Sequence, residues 1–174
     1  IGLPMNPRIS NIAWSPNDKK ISFSHTTATG VELWVIYVAL AKATRLTEAT
    51  VNANIGSPFS WMNDNETILV KMLPKNRAAL LDAKKDLPTG PIISNADGAK
   101  SQNRTYPDML KNKNDEINFE NIITSELYKI TLSGNKTLFK SADMFAGQSL
   151  SPDGNYIMIT TIQKPFSYIV PLNR

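Results

Sequence analysis

The sequence predicts an all-β fold: a partial β-propeller of about two and a half four-stranded antiparallel blades, with a long loop and short-helix insertion in the second blade. Three observations carry that expectation. One strand-turn-strand phrase occurs three times, as Ile12-Ala-Trp14-Ser-Pro16-Asn-Asp18-Lys-Lys-Ile21-Ser-Phe23, as Phe59-Ser-Trp61-Met-Asn63-Asp64-Asn-Glu-Thr-Ile68-Leu-Val70, and as Ser149-Leu150-Ser-Pro152-Asp-Gly154-Asn-Tyr156-Ile-Met-Ile159. A unit of this size buries too little surface alone and gains stability by stacking on copies of itself. In Leu33 to Val38 both alternating sets of residues are apolar, and Tyr156 to Ile159 reads the same way, so the strands call for a sheet covered on both faces. Lastly, the copies are unevenly spaced, 47 residues from Trp14 to Trp61 but 89 from Trp61 to Leu150.

The first unit spans 8–47. Ile12 to Trp14 is a short strand, Ser15 to Asp18 a turn with Pro16 presetting its first central φ, and Lys20 to Ser24 returns antiparallel. A Thr-rich loop from His25 to Gly30 leads into a strong strand, Glu32 to Val38, and a turn at Leu40 to Lys42 leads into Thr44 to Thr47. Gly154 in the third copy corresponds to Asp18 in the first, with Asn63-Asp64-Asn65 nearby in the second, all residue types that tolerate left-handed backbone.

The second unit spans 55–140 and contains the extra length, about 42 residues beyond a normal blade. Its first two strands end near Met72, its third is Ser125 to Leu132, and its fourth is Thr137 to Lys140 after the turn Ser133-Gly134-Asn135. The insertion, 74–124, holds four prolines and a short helix expected at Pro107 to Lys111, with proline in the first turn. A loop this long in a compact repeat serves as a lid or docking loop, or is decoration. The third unit, 143–174, supplies two strands in Gly147 to Thr161 and a third in Phe166 to Pro171, and lacks a fourth. A closed propeller needs at least about four blades. With a first residue Ile1 and a last residue Arg174 directly after an apolar run, the chain reads as a fragment of a longer polypeptide.

The absence of cysteine rules out disulfides and thiolate chemistry within these residues. No stretch reaches the roughly 20 apolar residues of a membrane-spanning helix. The 19 basic and 15 acidic residues give a net charge of +4 without clustering, so no nucleic-acid partner is expected.

Catalytic candidates are few. Gly147-Gln-Ser149-Leu-Ser151 lacks the second glycine of a nucleophile elbow and leads into a turn rather than a helix. His25, the sole histidine, reads as a loop or blade-edge residue. Asp115, Glu116 and Glu120 lie among lysines and read as a solvated charged face rather than a metal site, so no metal and no cofactor is expected. Trp14 and Trp61, at equivalent repeat positions, read as interblade core. Arg104, in the insertion, is the one substrate-binding candidate, since a guanidinium suits bidentate capture of an acidic side chain or terminal carboxylate. Asn65-Glu-Thr67, Asn103-Arg-Thr105 and Asn135-Lys-Thr137 fit the glycosylation sequon at a frequency chance explains in an Asn- and Thr-rich chain.

The phrase at Trp14 to Phe23, with Gly30 to Val38 and Arg45-Leu46-Thr47, resembles the WD40-like repeat of TolB-type proteins and of the propellers of prolyl oligopeptidase family (S9) serine peptidases. Pro91-Ile-Ile-Ser94, Arg104-Thr-Tyr106-Pro107-Asp108-Met-Leu110-Lys, Ser125-Glu-Leu-Tyr128 and Lys164-Pro165-Phe166-Ser167-Tyr168-Ile-Val-Pro171, in this order, are similar to the N-terminal propeller of the glutamyl endopeptidase branch. The resemblance implies a C-terminal α/β-hydrolase domain in the same parent chain, bearing the Ser, Asp and His triad, with the propeller gating peptide substrates; a dipeptidyl peptidase-like parent implies the same arrangement. No residue of this chain inherits a triad role, so activity is expected of the parent and not of this segment. The compartment stays open: periplasmic or secreted for a bacterial parent, plastid stroma for a plant-type one. The alternative is a TolB-like propeller that only binds protein or carbohydrate.

Overall fold

The computed structural model describes residues 1–82 and 110–167; these fall into two compact units, Ile1–Arg77 with Ile122–Ile162, and the described residues of Ala78–Asn121 with those of Gln163–Arg174. The first unit is built of three antiparallel sheets in chain order. Sheet one runs β1 (Ile9–Trp14), β2 (Lys20–Thr26), β3 (Val31–Tyr37) and β4 (Lys42–Arg45). Sheet two runs β5 (Phe59–Trp61), β6 (Thr67–Met72), β7 (Ser125–Thr131) and β8 (Lys136–Asp143). Sheet three pairs β9 (Phe145–Leu150) with β10 (Ile157–Thr161). Two four-stranded meanders and a two-stranded start are the partial propeller the repeats predict.

The repeated turns close in one way at the backbone. Asp18, Asn65 and Gly154, each four residues past the Trp14, Trp61 or Leu150 position, have φ of 58°, 61° and 74°. Their amides donate to the carbonyls of Ser15, Met62 and Ser151 at 2.9, 3.2 and 2.9 Å. Side chains finish the turns differently. Ser15 Oγ accepts the Lys20 amide and Ser151 Oγ accepts the Tyr156 amide, whereas Met62 has no hydroxyl and Asp64 Oδ1 takes the Thr67 amide at 2.8 Å.

Packing follows ladder register. On β6, Ile68, Val70 and Met72 face sheet one, where they meet Leu33 and Val35 of β3 together with Val51, Trp61 and Ile130. Leu69, on the opposite face, meets Leu127 and Phe145, with Ile157 and Ile159 packed against them. Sheet two is therefore apolar on both faces because a sheet lies on each, as in stacked blades.

Three expectations change. Trp61 is 7% exposed and its indole donates to the Ala13 carbonyl at 3.3 Å, but Trp14 is 53% exposed. The repeat position points its side chain at the sheet before it in sequence, and no described sheet precedes the first. Tyr156 to Ile159 is not covered on both faces: Ile157 and Ile159 pack inward while Met158 is 68% exposed, because no described sheet follows the third. Phe166 and Ser167 are not in a strand, and the rest of that expected third strand lies outside the described residues.

The short helix expected at Pro107 to Lys111 falls largely outside the described residues, and Leu110 and Lys111 are not helical. The helix, α1, is Lys113–Ile123. Asn112 caps it, its Oδ1 accepting the Asp115 amide at 2.9 Å, while Asp115 reaches back to the Lys111 amide at 2.8 Å. Asp115 and Glu116 thus sit in a first helical turn, where negative charge complements the helix dipole, and Glu116 pairs with Lys113. In the same unit Asn118 exchanges two hydrogen bonds with Leu81, at 2.7 and 2.9 Å, Phe119 meets Phe166 edge-on, and Glu120 pairs with Lys164 at 2.5 Å.

Candidate functional site

Arg104 lies outside the described residues. His25 is not in a loop: it is on β2, 8% exposed, and paired across the ladder with Glu32 of β3. Its Nδ1 accepts the Arg8 amide at 3.2 Å, which places the ring proton of the neutral form on Nε2. Its neighbours on β2, Ser24 and Thr26, point to the other face of the strand. Ser24 Oγ donates to the Ser10 carbonyl at 2.9 Å. Among the described residues no hydroxyl is hydrogen-bonded to the imidazole, so no serine-histidine pair is assembled there. Ser149 lies within β9, opposite Met158, in an extended ladder rather than a strand-to-helix elbow.

The polar side chains that do converge form a chain on the His25 face of sheet one. Glu32, itself buried, accepts the Trp34 indole N–H at 2.8 Å and an Arg45 N–H at 3.2 Å, and Arg45 also donates to Glu48 at 3.1 Å. Arg45 and Glu48 help line a cleft of about 400 Å3, together with Met72, Ile130 and Lys136. Lys136 sits over the Tyr128 ring at 4.0 Å. Burial and the nearby Lys75 hold its ammonium below the ordinary lysine value, against a smaller opposing pull from Glu126.

Two buried polar residues escape a reading of the sequence. Lys71 of β6 is 1% exposed, and its Nζ donates to the Ile55 carbonyl. Burial lowers its pKa to about 8. The one available signal was a lysine inside the apolar run Ile68 to Leu73, on the face of Leu69. Asn52, fully buried, donates to the carbonyls of Ile122 and Thr124 at 2.9 and 3.1 Å while its Oδ1 accepts from Asn54. It fastens the chain where it enters β7. On the other side of the long insertion, the Leu73 amide donates to the Thr50 carbonyl at 2.8 Å. Nothing in the local sequence marks Asn52, because its partners lie about 70 residues away.

Among the described residues no group of three or more His, Asp or Glu side chains comes together as metal ligands do, and no helix is long and apolar enough to cross a membrane. The site is therefore a set of packed, internally paired polar side chains on a β scaffold.

No protein-family model matches the chain. Over 99% of its length it is 34% identical to a probable chloroplastic glutamyl endopeptidase of Oryza sativa subsp. japonica, and 30% identical to a protein of the same description from Arabidopsis thaliana. It spans 19% of the length of each. Among solved structures it is similar to an acylaminoacyl peptidase in complex with Z-Gly-Gly-Phe-chloromethyl ketone, at 17% identity and a TM-score of 0.48, covering 90% of this chain and 21% of that one. An orthorhombic crystal form of Pyrococcus horikoshii acylaminoacyl peptidase matches over the same shares, at 15% identity and a TM-score of 0.48.

Proposed function

We propose, for a chain that is a propeller segment of the prolyl oligopeptidase (S9) peptidase type, that it is a non-catalytic part of a larger serine peptidase and shapes the access of peptides to a Ser, His and Asp site carried elsewhere in the parent. The observation that carries this reading is the 34% identity sustained over 99% of the chain against a relative of which the chain is 19%. We read the blades as 8–47, 55–140 with 74–124 inserted, and an incomplete 143–174. The partner is an α/β-hydrolase domain of the same parent, the substrates are peptides, and Arg104 is a candidate contact for an acidic side chain or a terminal carboxylate.

The test uses the complete parent enzyme with and without the equivalent of residues 74–124. A gating insertion predicts that its removal raises kcat/KM for long peptides at least about tenfold relative to short ones, about 1.4 kcal/mol of barrier. Equal changes for both lengths would overturn the gating role. The 174-residue chain alone is expected to be inert towards peptides, and turnover by it that a serine-directed inhibitor abolishes would overturn the non-catalytic assignment.

A further inference from the structure

Around the cleft between the first two sheets the charged side chains are divided by sign. Its volume is about 400 Å3, and it is lined from sheet one by Arg45, the last residue of β4, and by Glu48 beyond it. From sheet two come Met72 of β6, Ile130 of β7 and Lys136 of β8. Gly134, in the turn before β8, also lines it, and a Cβ added there would meet nothing within 4 Å, so no side chain fills that end. Met72 and Ile130 are each 2% exposed and offer little apolar surface.

On the side of sheet one, two carboxylates share one guanidinium. Arg45 donates to Glu32 at 3.2 Å and to Glu48 at 3.1 Å, and Glu48 is the exposed partner, its side chain 75% accessible. One negative charge is left in excess there. On the side of sheet two the sign reverses. Lys136 rests over the Tyr128 ring at 4.0 Å and forms no ion pair among the described residues. Burial and then the nearby Lys75 disfavour its charged form, while Glu126, already engaged by the Tyr128 hydroxyl at 2.9 Å, favours it less strongly. Glu48 is held by Arg45 and Lys136 by the ring, so the cleft keeps a carboxylate and an ammonium apart, each short of a full partner.

We propose that this cleft binds a small zwitterion, a free amino acid or a short peptide with unblocked ends, whose ammonium meets Glu48 and whose carboxylate meets Lys136. A simple anion would answer Lys136 and face the excess carboxylate of the other side, and a simple cation would meet the converse repulsion. A ligand carrying both charges answers both, and potentials of opposite sign across a recess orient it as it enters. The scarcity of exposed apolar surface calls for a small polar body rather than a large apolar side chain. Exposure of Glu48 keeps its ion pair modest, which sets the expected Kd on the order of millimolar. This site stands independently of the access role proposed above, since it needs no catalytic triad.

The experiment is methyl NMR on the complete parent chain, isotopically labelled at its Met and Ile methyls and treated with a serine-directed inhibitor so that the probes are not consumed. The probes are glycine, diglycine and triglycine, which step the distance between the two charges by about 3.5 Å per residue. At least one should shift the Met72 and Ile130 methyl signals saturably. Acetylating its amine or amidating its carboxylate should weaken binding at least about threefold, the loss expected for one exposed ion pair. Glu48→Gln and Lys136→Met should each weaken the unblocked probe by a similar factor. No saturable shift with any probe, blocked forms that bind as well as the unblocked one, or variants that bind as well as the wild type would each overturn the proposal. Sulfate that moves the same signals as tightly as the best probe would overturn it too, by showing a plain anion site. Should a variant not fold, the blocked probes on the wild type decide alone.

Discussion

Replacing Lys71 by methionine separates the charge of a buried side chain from its shape. The lysine is 1% exposed on the face of β6 that carries Leu69, close to Leu127 across the ladder. Its pKa drops from 10.5 to about 8 because burial penalises the ammonium. The unfolded chain therefore binds more protons than the folded one between those values, and this residue makes stability rise with pH through that window. Below pH 8 the folded protein carries the full cost of keeping the ammonium charged, about 3 kcal/mol at 1.36 kcal/mol per pH unit. Methionine removes that cost at pH 7 but leaves the Ile55 carbonyl without its donor, a loss of about 1–3 kcal/mol. The expected outcome at pH 7 is a variant as stable as the wild type or up to about 2 kcal/mol more stable. Urea unfolding at intervals from pH 7 to 10 provides the sharper check. Over that range the difference should move in favour of the wild type by about 2.5 kcal/mol, since only the wild type has the ionisation to lose. A difference that is flat with pH, or that moves the other way, would refute the claim that the folded protein holds a penalised ammonium there.

Two further variants probe the frame around it. Asn52→Ala removes one donor from each of the Ile122 and Thr124 carbonyls and the acceptor of the Asn54 amide, and should cost about 1–3 kcal/mol in urea unfolding, with amide exchange quickening first at the start of β7; uniform loosening of all three sheets would contradict a local anchor. Asp18→Gly, which installs the residue that the third repeat uses at φ 74°, should be neutral or stabilise by up to about 1 kcal/mol, whereas Asp18→Val should lose about 1–2 kcal/mol. Equal effects of glycine and valine would show that the left-handed turn is not what the position demands.

Periodic features were legible in the sequence and aperiodic ones were not. The repeat phrase placed the strands because alternation and turn chemistry act over a few residues, and the position four past Trp14, Trp61 and Leu150 adopts left-handed backbone in every copy. Solvent contact was misread for Trp14 and Met158 because the pattern encodes which face of a strand wants covering, and whether a neighbour lies there depends on other parts of the chain. The candidate site was less legible. Arg104 lies outside the described residues, and His25 moved from a loop to a buried strand, because a histidine beside two threonines looks like loop until its cross-strand partner is known.

Lys71 left a single trace in the sequence and Asn52 none, for a related reason: one is held by the Ile55 carbonyl in a connecting segment and the other by carbonyls at and just past the end of α1, acceptors that have no period to read. Their placement nevertheless explains how a long insertion can interrupt a blade without disturbing it. The chain leaves β6 at Leu73, bonded to Thr50, and returns at Ile122 to Thr124, bonded to Asn52, so both ends of the excursion are tied to one short connection between the first two sheets. The β6–β7 ladder then begins in register at Met72 opposite Glu126 and continues to Thr67 opposite Thr131 without a bulge. The entropic cost of closing a flexible loop grows only as the logarithm of its length, by about 0.6 kcal/mol per doubling. With the excursion fastened at Leu73 and again at Ile122 and Thr124, the length between those points is nearly free to vary. Variation in this blade is accordingly expected in 74–124, while Thr50, Asn52 and the ladder they support set the geometry on which any such loop is mounted.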